Sequence, residues 1–128
     1  MSNEDYVSYE IAKRLKALGF DYPCYFYYTE EDAPDGCVWH TTSEEAPIDY
    51  NRSIYAVCSM PTLAQAQKWL ISKGGYIDVQ LLTRNTWSCA IENEYGNELL
   101  DVLQTWDTYE SALSAGIEAA LKLIEEDD

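Results

Sequence analysis

The 128-residue sequence predicts an α+β fold with three helices and about five strands, in the order α-β-β-α-β-β-β-α, built on a mainly antiparallel sheet. Three features carry this expectation. The stretch 108–125 has apolar residues at helical spacing, the stretch 77–92 alternates apolar with other residues, and glycines or capping residues punctuate both. Every neighbouring strand pair can be joined by a short turn, which favours antiparallel pairing, and each amphipathic helix needs an apolar sheet face to cover.

Residues 3–18 read as the first helix. Ser2 is placed to cap it, Val7, Ile11, Leu15 and Leu18 recur at helical spacing, and Gly19 followed by apolar Phe20 suits a left-handed stop. The aromatic run Cys24-Tyr25-Phe26-Tyr27-Tyr28 favours a pleated surface and reads as a strand. A polar turn over 30–36 then leads to a returning strand at 37–41, making a hairpin. Residues 43–61 hold Pro47 and Pro61 with no sustained period and read as an irregular crossing.

Thr62-Leu63-Ala64-Gln65 has the form of a capping box for a second helix, 63 to about 73, ended by Gly74-Gly75. Ile77, Val79 and Leu81 alternate with Asp78 and Gln80, as a half-buried strand requires. With a turn at 83–85, the alternation of Trp87, Cys89 and Ile91, and a second turn at 95–97 before Leu99 to Thr105, the stretch reads as a three-strand meander. Asp107 and Glu110 form a further capping pair ahead of the last helix, whose apolar stripe is Tyr109, Ala112, Leu113, Ile117, Ala120, Leu121 and Ile124. The length suits a single domain over 1–128, with the acidic tail 125–128 frayed because it sits at the negative end of the helix dipole.

The charge narrows the function classes. There are 23 acidic and 8 basic residues, a formal net charge of −15, which opposes contact with phosphate backbones and anionic lipid. Direct nucleic-acid binding and membrane association are therefore not expected. The start, Met-Ser-Asn-Glu-Asp-Tyr, is acidic with no apolar stretch behind it, so the expected location is cytoplasmic. Cys24, Cys37, Cys58 and Cys89 are then expected to remain thiols.

Signatures of common chemistry are missing: the sequence has no GxSxG, no phosphate-binding GxxxxGK[ST], no GxGxxG and no HExxH. Any metal or nucleophile site must use His40, the only histidine, and Cys37 stands three residues before it. On a strand that spacing sends the pair to opposite faces, and the other cysteines are isolated, so they read as small core residues. No catalytic residue, metal ligand or cofactor is expected.

Tyrosine is the unusual residue, at 11 positions, with Tyr22, Tyr25, Tyr27 and Tyr28 clustered around the first strand next to Glu30, Glu31 and Asp32. A large ring with a polar tip suits a protein interface, and these seven residues form the expected interaction surface.

Tyr6-Val7-Ser8-Tyr9-Glu10, the run from Pro61 to Leu70, and the segment from Trp106 to Leu121 together resemble, in the same order, blocks of small uncharacterised proteins from prophages and mobile elements of gut Bacteroidales. The resemblance implies an accessory role in a phage or element and carries no activity. The expected function is a non-enzymatic accessory protein that binds another protein through an acidic, tyrosine-rich surface, with imitation of DNA to inhibit a host defence as its sharper form. The alternatives are a small enzyme or metal-binding module around Cys37 and His40, and a self-assembling structural protein. The sequence fixes neither the partner nor the oligomeric state.

Overall fold

A computed structural model of the chain describes residues 6–28, 48–52 and 58–126. The elements are α1 (Tyr9–Ala17), β1 (Phe26–Tyr28), a 3-10 turn (Tyr50–Arg52), β2 (Cys58–Met60), α2 (Leu63–Ser72), β3 (Tyr76–Thr83), β4 (Thr86–Glu92), β5 (Glu98–Trp106) and α3 (Tyr109–Glu126). The α+β class and the order α-β-β-α-β-β-β-α are as the sequence predicts. The described strands form two antiparallel sheets, β1-β2 and β3-β4-β5. By its contacts the chain divides into two compact units, Met1–Gln65 and Ala66–Asp128.

In the first unit, α1 starts later than the apolar spacing predicts. Ser8, extended at φ −69° and ψ 164°, is the cap, and its hydroxyl accepts from Ile11 N. The residues before it are pulled straight by pairing: Tyr6 bridges to Thr62, and Val7 N donates to Pro61 O at 3.1 Å. Val7 is still buried, so the periodicity marked a core residue while misplacing the helix end. The stop is as expected. Gly19 has φ +97°, Gly19 N donates to Lys16 O and Phe20 N to Leu15 O, and Phe20 is buried against the turn it closes.

The partner of β1 is the main correction. The stretch expected to cross irregularly contains β2, which pairs Phe26 with Met60, Tyr27 with Ser59 and Tyr28 with Cys58. All three β2 residues are buried, so the strand shows no alternation, and three residues are too few to reveal a period. The expected returning strand at 37–41 lies outside the described residues. Cys24 precedes β1 as an isolated bridge to Ile48, with main-chain bonds of 2.8 and 3.0 Å.

The Thr62/Gln65 capping box forms as predicted: Gln65 N donates to Thr62 Oγ1 at 3.0 Å, and Thr62 N donates to Gln65 Oε1 at 2.9 Å. In the second unit α2 ends on Gly74, at φ +90°, with Gly75 N bonded to Leu70 O.

The meander has β4 at its centre. Ile77, Ile91 and Leu100 fall in one row across the strands, and Val79, Cys89 and Val102 in the next. Asn93 shapes the β4–β5 loop by accepting from Tyr95 N and Asn97 N through Oδ1. The cap of α3 differs from the expected Asp107/Glu110 pair: Ser111 N donates to Thr108 Oγ1 at 3.1 Å. The helix begins at Tyr109, so Thr108 is the residue just outside it and Ser111 the one whose amide is in reach. Ala112, Leu113, Gly116, Ile117, Ala120 and Leu121 are buried, and α3 packs on all three strands.

Candidate functional site

Strand parity and ring packing decide which tyrosines of the expected surface reach solvent. Tyr28 is only 4% exposed, its hydroxyl donates to Val7 O at 2.7 Å, and its ring meets Tyr9 edge-on at 5.3 Å. Burial removes Tyr28 from any docking face. Tyr27 is half-buried against the ring of buried Tyr50, 4.6 Å between centroids, and Tyr22 is half-buried beside Phe20. Tyr25 alone of the four is exposed. Glu30, Glu31 and Asp32 lie outside the described residues, as do Cys37 and His40.

The remaining cysteines behave as core atoms. Cys24, Cys58 and Cys89 are buried thiols. Burial pushes the Cys24 thiol up to about 12, with the Asp49 carboxylate adding to the effect. A thiol held protonated at neutral pH is a poor nucleophile and a poor metal ligand. Among the described residues no group of three His, Cys, Asp or Glu side chains is placed to hold a metal ion. No helix among them is long and apolar enough to cross a membrane.

A second surface stands out on the meander. The register sets Leu81 opposite Trp87 and Trp87 opposite Trp106, one row across three strands. The row continues the side that carries Ile77 and Val79, the side buried under α3. Cover runs out here because α3 only starts at Tyr109, whose ring meets Trp87 edge-on at 5.4 Å. Leu81 is 54% exposed, Tyr109 is 40% exposed, and both tryptophans are half-buried. Leu82 beside them is 53% exposed. An aliphatic side chain, two indoles and a phenol thus share one rim of the sheet, the composition that anchors protein interfaces.

The sequence pattern places these residues on strands, and their alignment in one row comes from the strand register. Hairpin register could have revealed it: three large apolar residues at matching strand ends, next to a helix that starts three residues after the last of them.

No protein-family model matches the chain, and neither curated proteins nor solved structures include one significantly similar to it.

Proposed function

We propose that this chain is a non-enzymatic accessory protein that works by binding another protein, and that Leu81, Trp87, Trp106 and Tyr109 are its anchor. The single observation behind this reading is the uncovered row at the rim of the meander, where large rings stay partly in water despite a helix packed on the same face. The net charge of −15 selects a basic partner and adds long-range attraction to the short-range apolar contact. An accessory role in a phage or mobile element accords with the resemblance of the three sequence blocks.

The reading is tested by paired capture from host lysate with wild-type chain and a Trp106→Ala, Leu81→Ala variant whose circular dichroism is unchanged. A specific partner should be retained by wild type and weakened about tenfold or more in the variant, the loss typical of removing an interface anchor. Partial retention at high salt is expected, since the apolar contact survives screening, whereas a purely ionic mimic of DNA would release steeply. Equal retention by the variant would overturn the assignment of the anchor.

A further inference from the structure

The rings at the rim of the meander bound a corner that a cation can enter. Trp87 and Tyr109 meet at 79° with 5.4 Å between centroids, so their faces form two walls of that corner. Trp106 stands opposite Trp87 on the same side of the sheet, about 5 Å away at Cβ, and brings a third ring. Leu81, paired with Trp87 from the other strand, adds an apolar border. The corner meets water, since Tyr109 is 40% exposed and Leu81 54% exposed. Aromatic faces attract cations, those of tryptophan most strongly. The chain uses this attraction elsewhere, with Lys13 Nζ 5.2 Å from the Tyr9 ring centroid and Lys73 Nζ 5.3 Å from that of Trp69. Among the described residues no lysine or arginine is so placed on Trp87, Trp106 or Tyr109. Within three residues of these rings the sequence holds Asp107 and Glu110 against Arg84, an acidic balance like that of the whole chain.

We infer that this corner receives a trimethylated lysine side chain of the partner protein. The inference rests on the protein-binding reading above and specifies what the partner inserts. Shape separates this occupant from the other cations of a protein. A guanidinium is planar and stacks on one face, whereas a trimethylammonium group is tetrahedral and presents methyls to two walls at once. An unmethylated ammonium is strongly hydrated, so setting it against Leu81 and the rings costs solvation that methylation has already removed. The methyls also bury apolar area on the indoles. A carboxylate is disfavoured by the ring faces and by Asp107 and Glu110. A second copy of this chain is disfavoured too, because it would bring its own charge of −15 to the contact.

The probe is a short capped glycine–serine peptide carrying one trimethyllysine, titrated into the full chain and followed by tryptophan fluorescence. Control peptides carry lysine, arginine, or a neutral side chain with a tert-butyl group in place of the trimethylammonium. Saturable binding of the trimethyllysine peptide is expected, about tenfold tighter than that of the tert-butyl peptide, which keeps the shape and lacks the charge. Trp87→Leu should remove this preference, and Tyr109→Leu, at an exposed position, makes the same test if the first variant loses its fold. No saturable binding, equal binding of the tert-butyl peptide, or tighter binding of the arginine peptide would each overturn the inference. Free choline binding as tightly as the peptide would overturn a protein as the source of the cation. If the Trp106→Ala, Leu81→Ala variant loses its captured partner, yet saturating trimethyllysine peptide does not displace that partner from wild type, the inference falls while the protein-binding reading stands. Capture that survives in that variant sinks the anchor, and the inference with it.

Discussion

Asn51 holds separate pieces of the first unit in place with one side chain. Its amide donates to Phe20 O at 2.8 Å, its carbonyl accepts from Ser59 N at 2.8 Å, and its own N–H bonds Asp49 Oδ1. The end of α1 is thereby tied to β2 without a ladder between them. Gln65 does comparable work, accepting from Thr62 N while donating to Pro23 O at 2.9 Å. Cys24, beside Pro23, supplies a titration that is read in stability. The folded thiol titrates at about 12, whereas an unfolded thiol titrates near ~8.5. Below the unfolded value both states are protonated and stability is indifferent to pH. Above it the unfolded chain releases a proton that the folded chain keeps, so stability falls as pH rises toward the folded value. Between about pH 8 and pH 10 wild type should lose roughly 2 kcal/mol more than Cys24→Ala in urea unfolding. Equal losses would show that the folded thiol ionises normally.

Helix α3 sits so close to the sheet that one of its positions tolerates no side chain. A Cβ built on Gly116 would lie 2.6 Å from Ile77 Cγ2 and 3.6 Å from Cys89 Sγ. Helix propensity alone would favour Ala over Gly by about 1 kcal/mol. Overpacking a filled core costs about 1–3 kcal/mol, and the obstructing atom is a methyl on the stiff β-branched carbon of a buried Ile. Overpacking outweighs propensity, so Gly116→Ala should destabilise by about 1 kcal/mol. In the double variant with Ile77→Ala, which removes the obstructing methyl, the two costs should sum to less than their separate values. Strict additivity would mean that the contact does not limit the approach of α3.

Over the whole molecule, 23 carboxylates against 8 cations make the folded chain repel itself. Among the described residues, Arg52 Nε lies 3.6 Å from Asp49 Oδ2 with most of the Arg side chain in solvent, a geometry of small net value. Raising NaCl from about 0.01 M to about 0.15 M shortens the screening length from ~30 Å to ~8 Å, and the urea midpoint should rise. A midpoint that falls with salt would mean that favourable pairs outweigh the repulsion.

The sequence by itself determined the elements whose causes are local. Gly19 and Gly74 end their helices because a left-handed residue closes the last turn, and the Thr62/Gln65 box forms because its bonds span three residues. Strand alternation from Ile77 to Ile91 and the stripe of α3 were legible for the same reason. Pairing over long separation was not. Tyr6 meets Thr62 and Phe26 meets Met60, and no spacing in the sequence encodes those distances, so the start of α1 and the existence of β2 were decided by tertiary structure. The proposed interaction surface follows the same division. Composition drew attention to Tyr28, which the fold buries under Val7 and Tyr9, and passed over Trp87 and Trp106, which register and the late start of α3 leave at the rim. Residue type says what a side chain offers to a partner, but only the packing around it decides whether the partner can reach it.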